Sequence, residues 1–362
     1  MKKIGIGIIG TGGAGSGLCS IVKSSPNMEL VAIAETNDER RKEICEKLQI
    51  PGYRDYQELL RHEDIYLVYN ATPNFLHARV ATDALKAGKH VFSEKPMGLT
   101  REEIGGMLNA EKESKKYLQI DFETRYSIMG RWITELVDAG ELGEVKNIFF
   151  IHCSGGPGFL KKHGDWRANP SKVGGYYFEE GCHRLDIFRK WMGVEIEEVE
   201  SIPAPGLRGP DGWHRGYREP ACTLCFFPDG KLATLVTLQH RGAHPVLEPG
   251  MEPKLGHEYA ASLMGSEGSI RSDFWERYIQ LFKFEGPAGH PVLKRTESYK
   301  GIPHGKLFHD ADGFLQDFAR RILAGERPFM SAFDSWKTMA VVFACEESFK
   351  RKGERVKVNY EL

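Results

Sequence analysis

The chain has 362 residues, which exceeds the usual size of a single hydrophobic core, so we expect about two domains. Its 49 basic and 50 acidic residues leave a net charge of -1, and no long run of either sign occurs. This balance argues against nucleic acid and against an anionic membrane surface as partners. A small neutral or mildly charged ligand fits best.

The seven cysteines are scattered along the chain, and their odd number and spacing indicate a reducing compartment. Two of them, Cys222 and Cys225, form a CxxC within "ACTLCFFPDG", which predicts a strand entering a turn. Residues three apart on a strand point to opposite faces. We therefore expect no metal clamp at this pair.

The N-terminal sequence "MKKIGIGIIG" has the basic start and the apolar run of a signal peptide. The run is short, is broken by Gly5 and Gly7, and leads into further glycines instead of a small-residue cleavage site. No stretch approaches the roughly 20 apolar residues of a membrane span. We expect a cytoplasmic protein with no membrane partner.

Residues 1–123 alternate between strand and helix patterns. Helical stretches separate the strands; Asn37 and Asp38 cap one of them, and the capping box "TREE" at 100–103 starts another. This alternation predicts parallel βαβ units, hence a Rossmann doubly wound sheet that binds its ligand beyond the carboxyl ends of the strands. The predicted strands are "KIGIGII" (3–9), "ELVAIAE" (29–35), "IYLVYNATP" (65–73), "KHVFSEKP" (89–96) and "YLQIDF" (117–122).

From residue 124 the pattern changes to hairpins, which predicts a second domain over 124–362 with a mostly antiparallel sheet and flanking helices. Pro-, Gly- and His-rich segments at 203–220 and 241–257 predict long surface loops. Helices are predicted at 128–140, 308–324 and 334–352, and strands at 144–154, 221–227, 231–240, 258–265, 268–273 and 278–286.

A glycine motif, GxGxxG over residues 10–15, lies between the first predicted strand and its helix. Gly10 permits a tight turn, Gly12 has no side chain to block a pyrophosphate, and Gly15 lets helix and strand approach closely. The helix N-terminus adds N–H groups and positive potential. This placement predicts a dinucleotide site, although the same glycines also suit a plain turn in another α/β fold.

Glu35 ends the second predicted strand and follows the last glycine of the motif by 20 residues. A carboxylate there accepts hydrogen bonds from ribose hydroxyls and repels a 2′-phosphate, so NAD is predicted as the cofactor. Arg40 and Arg41 lie close enough in sequence to keep NADP as the alternative. The predicted cofactor contacts are Gly10, Gly12, Gly13, Ala14, Gly15, Glu35, Thr36, Thr72, Asn74 and Glu94.

The segment "FEEGCHRLDIF" (178–188) places His183 near acidic residues, where it could be a base, a metal ligand or a packed side chain. Glu180 and His183 form a Glu-x-x-His, which di-metal proteins use in two copies. None of the other twelve histidines has a glutamate three positions before it, so no metal is predicted. Asp186 is expected to pair with Arg189 on the same helix.

Three more stretches, "ATPNFLH" (71–77), "SEKPMG" (93–98) and "GGYYFEEGCHRLD" (174–186), complete a pattern with the glycine motif. Together they resemble the glucose-fructose oxidoreductase / inositol dehydrogenase family, Gfo/Idh/MocA, over nearly the whole chain. The resemblance implies a cis Lys95–Pro96 bond, an NAD-type cofactor in the first domain, and a sugar or polyol substrate held against the second. It also implies a homodimer or homotetramer.

The resemblance further implies that Lys95 holds the reacting hydroxyl, that His183 takes its proton, and that the carboxylate of Glu179 assists His183. The usual residue at that position is aspartate, which is one methylene shorter. Additional substrate contacts are implied at Arg125, Trp166 and Arg167, while His77 is expected to be a packing residue at a helix start.

Elementary chemistry agrees with these roles. Oxidising an alcohol requires a base beside the hydroxyl, and histidine titrates near working pH, so the rate should rise as His183 becomes neutral. A lysine such as Lys95 stabilises the developing alkoxide. The sequence thus predicts an NAD(P)-dependent dehydrogenase of a secondary hydroxyl. Its rivals are a redox-neutral, NAD-using enzyme that cleaves glycosidic bonds and a non-catalytic nucleotide sensor.

Overall fold

The structure is a computed structural model that describes residues 3–153, 166, 169–204, 220–238, 258–273, 277–302 and 304–362. Most of the predicted loop 203–220 and all of the predicted loop 241–257 lie outside these ranges.

The first six strands form one parallel sheet in the order β3-β2-β1-β4-β5-β6. The order reverses between β1 and β4, and this switch point places the ends of both strands at one crevice. The glycine motif follows β1 directly, and the "SEKP" loop follows β5. The strands are β1 Ile4–Ile9, β2 Met28–Ala34, β3 Gly52–Tyr53, β4 Leu67–Asn70, β5 His90–Ser93 and β6 Leu118–Ile120.

The remaining strands form a nine-stranded sheet in the order β14-β13-β12-β11-β7-β10-β9-β8-β15. Its described neighbours pair antiparallel except β7 and β10, which are parallel. The mostly antiparallel sheet predicted for the second domain is therefore confirmed. The strands are β7 Val145–Cys153, β8 Glu198–Pro203, β9 Pro220–Phe226, β10 Leu232–Leu238, β11 Glu258–Gly265, β12 Gly268–Asp273, β13 Tyr278–Lys283, β14 Val292–Ser298 and β15 Val356–Lys357.

The helices begin largely where the capping residues predict. Asn37 accepts a hydrogen bond from the N–H of Arg40, and Thr100 and Glu103 form the predicted capping box. The described helices are α1 Gly13–Ser24, α2 Asp38–Leu48, α3 Tyr56–Leu60, α4 His77–Lys86, α5 Arg101–Ser114, α6 Glu123–Tyr126, α7 Ile128–Asp138, α8 Pro170–Val173, α9 Cys182–Met192, α10 His304–Phe308, α11 Ala311–Ala324 and α12 Ala332–Lys350.

Helix α11 returns to the first sheet although it lies near the end of the chain. Its residues Phe314 and Phe318 are buried in one cluster with Ile6 and Phe92 of that sheet. The rings of Phe92 and Phe314 meet edge to face with centroids 5.4 Å apart. This packing brings the segment just before α11 to the carboxyl ends of the first sheet. The predicted domain boundary at residue 123 assigns that segment to the second domain, although it lies beside the first.

Candidate active site

The glycine loop between β1 and α1 has the geometry of a phosphate cradle. Gly10 has a φ of +85°, and a Cβ there would lie 2.6 Å from the carbonyl oxygen of Ala71. A Cβ at Gly15 would lie 2.0 Å from the carbonyl oxygen of Gly10, whereas at Gly12 it would meet no atom within 4 Å. The three glycines thus provide the tight turn, the close helix packing and the open approach that a bound pyrophosphate requires. Gly13 is the first residue of α1, and Ala14 follows it.

Glu35 lies just after β2 and is buried, with its carboxylate fully engaged. It accepts hydrogen bonds from the N–H and hydroxyl of Thr11 and from the N–H of Asn37 at 2.8 to 3.0 Å. Arg40 lies 3.3 Å from the same carboxylate. Burial opposes the charge, but the hydrogen bonds from Asn37 and Thr11 outweigh it and lower the pKa of Glu35. Next to it, Thr36 is exposed.

Lys95 lies in the loop after β5, and its peptide bond to Pro96 is cis, as the resemblance implied. Its ammonium donates a hydrogen bond to the carbonyl oxygen of Glu179 in the second domain. His77 is buried at the start of α4, as expected, with its ring nitrogens 2.8 Å from the carbonyl oxygen of Pro96 and 2.7 Å from that of Thr72. The His77 ring therefore fixes the loop that presents Lys95.

His183 lies in the first turn of α9, which begins at Cys182 as predicted. A single π-helical turn, Tyr177–Gly181, precedes it, and such turns are frequent at functional sites. Gly181 has helical φ and ψ, so it does not turn the chain as expected; instead, a Cβ there would lie 2.7 Å from the ring of Tyr177. The His183 side chain is 2% exposed and meets the edge of Phe122.

The carboxylate beside His183 is Glu123, a residue that the sequence analysis did not select. Glu123 Oε2 lies 3.7 Å from Nδ1 of His183, and Glu123 Oε1 accepts a 2.6 Å hydrogen bond from Nδ1 of His309. The rings of His183 and His309 are 5.9 Å apart. Glu123 follows β6 and His309 precedes α11, so only the tertiary fold joins them to His183.

Charges around these groups set their protonation. Burial lowers the pKa of Lys95, but the negative charge of Glu179 and other acidic neighbours outweighs it, so the pKa is raised. Burial, and then the charge of Glu123, raise the pKa of Asp121 well above its ordinary value. These shifts favour the charged form of Lys95 and the neutral form of Asp121.

Burial and the contact between the two side chains together set the pKa values of His183 and Glu123. Burial lowers the pKa of His183 to about 3, against the opposing charge of Glu123. Burial also disfavours the charge on Glu123, but the positive charge that His183 carries when protonated and the hydrogen bond from His309 lower the pKa of this carboxyl. Burial thus disfavours the expected histidine titration near working pH in the resting site, because a desolvated ring resists protonation.

The resting state of His183 yields a direct prediction. Its ring resonances, assigned by their loss in His183→Asn, should not titrate between about pH 5 and 8 because the folded-state pKa lies below that window. Histidine-selective NMR over this range measures it. A midpoint near the ordinary histidine value would contradict the burial argument. For the same reason, kcat/KM should show no acid limb from His183 in this window.

Glu179 lies close to Lys95, but its carboxylate makes a different contact from the one expected. Its Oε2 accepts a 2.9 Å hydrogen bond from the amide of Asn74, which also donates to the carbonyl oxygen of Val173. Asn74, expected beside the cofactor, therefore uses its amide to join the two domains. Assistance of His183 by Glu179, and a cofactor contact by Asn74, stay predictions.

Arg125 is buried among carboxylates. It binds Asp186 through two nitrogens at 2.6 and 2.7 Å and Asp334 at 2.6 Å. A buried guanidinium requires charged partners, which these carboxylates supply. A substrate contact by Arg125 stays a prediction. Asp186 pairs with Arg125, while Arg189, the partner expected for Asp186, forms its ion pairs with Glu195 and Asp334.

Three further predicted contact residues, Thr72, Glu94 and Trp166, lie within the described part of the chain. Thr72 donates its hydroxyl to Asn70 at 2.7 Å, and Glu94 accepts a 2.6 Å hydrogen bond from the hydroxyl of Tyr69. Trp166 is half-buried, and its carbonyl oxygen accepts a hydrogen bond from Asn169. Arg167 lies outside the described residues. Substrate contacts by Trp166 and Arg167 stay predictions.

The described residues provide neither a metal cluster nor a membrane-spanning helix. No group of three or more His, Cys, Asp or Glu in these ranges is arranged to hold a metal ion. The CxxC thiols are both free, with Cys225 buried and Cys222 half-buried. No described helix combines the length and the apolar character needed to span a bilayer.

A Rossmann sheet with a glycine cradle, joined to a mostly antiparallel sheet and to the helix that carries His183, is the arrangement of NAD(P)-dependent oxidoreductases. Residues 4–122 match the model described as "Oxidoreductase family, NAD-binding Rossmann fold", and residues 131–271 match the "GFO/IDH/MocA C-terminal domain". The chain belongs to the Gfo/Idh/MocA family.

Three of the similar curated proteins are named as dehydrogenases. The chain is 25% identical to myo-inositol 2-dehydrogenase of Thermotoga maritima, over 96% of each chain. It is 26% identical to scyllo-inositol 2-dehydrogenase (NAD(+)) of Bacillus subtilis, over 91% of this chain and 89% of the relative. It is 27% identical to D-xylose 1-dehydrogenase (NADP(+)) of Hypocrea jecorina, over 96% and 91%.

Among solved structures, a levoglucosan dehydrogenase in complex with NADH and levoglucosan is similar, with a TM-score of 0.80. The sequences are 21% identical, and the match covers 99% of this chain and 100% of that one. At this identity the likeness establishes the shared fold.

Cofactor choice should depend on Glu35. In Glu35→Ser, NAD affinity should fall about tenfold or more, the scale of losing hydrogen bonds to a charged group. NADP should gain relative to NAD, because the repelling carboxylate is removed and Arg40 loses its partner at 3.3 Å. Titration of both cofactors measures this. Glu43→Ser, the same change at an exposed position on α2, is the matched control, and unchanged affinities in Glu35→Ser would refute the role.

Proposed function

We propose that the protein is an NAD(P)-dependent dehydrogenase that oxidises a secondary hydroxyl of a sugar, an inositol or a related polyol. The observation that carries the proposal is the meeting of Lys95, from the first domain, with the turn that precedes His183 in the second. A cation and a neutral imidazole beside one crevice are the groups that alcohol oxidation requires. When bound, the nicotinamide ring supplies the hydride acceptor.

Lys95 has the role of stabilising negative charge on the substrate oxygen. Its pKa is raised because the charge of Glu179 and other acidic groups outweighs burial, so the ammonium persists at working pH. Its present hydrogen bond is to a backbone carbonyl, which leaves further ammonium protons for a hydroxyl oxygen. A fixed cation in a buried site lowers the energy of an alkoxide more than that of an alcohol.

His183 has the role of the base. Burial keeps the ring neutral, and only a neutral imidazole accepts a proton. As an alkoxide forms beside Lys95, the substrate O–H bond breaks and its proton joins a ring nitrogen of His183. Glu123 favours the resulting imidazolium, since its charge raises the pKa of His183.

The substrate is best assigned as uncharged. The groups that act electrostatically on Lys95 include Glu123, Glu179 and Glu180, so the described surroundings of the ammonium are acidic. A phosphate or carboxylate brought there would meet repulsion from these side chains. The inositol and xylose dehydrogenases among the relatives act, by their names, on neutral polyols and sugars.

A substrate panel tests the proposal. Inositols, pentoses, hexoses, glycosides and sugar phosphates are each incubated with the enzyme and NAD or NADP, and reduced nicotinamide is followed by absorbance. At least one neutral polyol should be oxidised faster than its phosphate ester. Product formation without accumulation of reduced cofactor would instead identify the redox-neutral rival, and binding of cofactor without any turnover across the panel would favour the sensor.

A further inference from the structure

Two buried polar atoms beside Lys95, in the described part of the candidate active site, face each other without a hydrogen bond. They are Nδ1 of His183 and Oε2 of Glu123, which lie 3.7 Å apart, and neither has a hydrogen-bond partner. This separation exceeds the long end of ordinary N–H···O hydrogen bonds by about 0.5 Å. Leaving both atoms unpaired in the interior is costly, so a small closure of the gap would satisfy two groups at once.

The carboxylate of Glu123 is held in place by a second contact. Its Oε1 accepts a 2.6 Å hydrogen bond from Nδ1 of His309, whose ring is 25% exposed. The backbone around Glu123 is fixed as well, because Arg125, two residues later, forms a buried ion pair with Asp186 and a partly buried one with Asp334. The free oxygen of Glu123 is therefore aimed at His183 from a rigid support.

We propose that Glu123 and His309 are positioning residues for His183, with Glu123 orienting the imidazole and His309 orienting Glu123. This inference rests on the proposed function, in which His183 is the base. It gives Glu123 the role that family resemblance implied for Glu179. The carboxylate of Glu179 instead holds Asn74 across the domain boundary.

The arrangement fixes which nitrogen of His183 reacts. An ionised Glu123 can only accept, so Nδ1 of His183 carries the hydrogen and Nε2 keeps the lone pair. The substrate proton then joins Nε2, while the proton on Nδ1 stays between His183 and Glu123. The same division of labour between imidazole and carboxylate occurs in hydrolase triads.

Other charges near the pair make this carboxylate necessary. Lys95 and Arg184 both disfavour a positive charge on His183, and Glu123 is the group that most opposes burial. Burial and the charge of Glu123 raise the pKa of Asp121 well above its ordinary value, which disfavours a negative charge on this second carboxyl. Loss of Glu123 would therefore leave the imidazolium without its main support.

The kinetic test compares two carboxylates with the same isosteric change. Glu123→Gln should lower kcat by about 10² to 10⁴, the scale for a histidine left in the wrong tautomer, with KM changed far less. Glu179→Gln should lower it less. Glu123→Gln and His183→Asn combined should be no worse than His183→Asn alone, because the two residues act as one unit. Equal losses, or a larger loss in Glu179→Gln, would overturn the proposal.

The contribution of His309 is tested by a pair of substitutions. His309→Asn keeps an N–H donor for Glu123 and should retain most turnover, whereas His309→Leu removes the donor and should lower kcat about tenfold. Partial rescue by asparagine separates a hydrogen-bond role from simple packing. Equal effects of the two changes would contradict the assignment to His309.

A readout that needs no turnover uses histidine-selective ¹⁵N labelling of the full-length protein with NAD bound. In wild type, His183 should show the tautomer protonated at Nδ1, and Glu123→Gln should change the ring nitrogen shifts of His183. Wild-type His183 protonated at Nε2 would overturn the proposal even if every variant failed to fold. An active enzyme with that tautomer refutes only this inference, whereas a wild type inactive on all polyols refutes the proposed function.

Discussion

His183→Asn should lose nearly all turnover while still binding NAD. We expect kcat to fall about 10² to 10⁴, the usual contribution of a general base. Asparagine is polar and smaller than the ring, but its amide cannot take a proton from an alcohol at neutral pH. Because the His183 ring lies in the second domain, the glycine loop after β1 keeps its geometry. Steady-state kinetics and NADH fluorescence measure the two properties separately.

The matched control for His183→Asn is His290→Asn, the same change at an exposed position. It should have wild-type kinetics and wild-type thermal unfolding. A His183→Asn enzyme with turnover close to wild type would reduce the histidine to a packed side chain. Loss of both turnover and cofactor binding would indicate a folding defect, which the unfolding curve would reveal.

Lys95→Met should lower kcat by about 10² or more, the scale for losing one donor to an oxyanion. The substitution keeps the length of the side chain and removes the charge. It also removes the hydrogen bond from the ammonium to the carbonyl oxygen of Glu179, so the contact between the domains weakens. Cofactor binding should persist, because the glycine cradle and Glu35 lie on other loops.

Lys86→Met is the control for Lys95→Met, because Lys86 is exposed on α4 and the change is identical. We expect it to behave as wild type. If Lys95→Met kept more than about half of the wild-type turnover, far above the expected loss, Lys95 would be removed from the reacting site. The decisive comparison is kcat at saturating cofactor, where weaker domain contact has the least influence.

The first domain was predictable because each strand is a short apolar run and most helices carry a capping signal. Two elements escaped, β3 of Gly52–Tyr53 and α3 of Tyr56–Leu60, since two and five residues are too few to display a period. In the second domain, β14 was missed because "VLKRTES" is polar and exposed along nearly its whole length. An edge strand with so little apolar surface resembles a loop in sequence.

The active-site cluster was predictable only in part. Lys95 and His183 occur in recognisable local motifs, and the cis bond before Pro96 is present as implied. Glu123 and His309 carry no local signal, since they are 186 residues apart and meet only because α11 returns to the first sheet. The ion pairs of Arg125 were not predicted because the sequence does not reveal which carboxylates will surround it.

The most direct test of the central claim follows the hydride itself. Wild-type enzyme and NAD are incubated with an active polyol deuterated at its carbinol carbons, and the reduced cofactor and the carbonyl product are quantified by mass spectrometry. We predict one deuterium in each reduced cofactor, which accumulates in equal amount with a ketone product. Product that forms without any accumulation of deuterated reduced cofactor would contradict a polyol dehydrogenase.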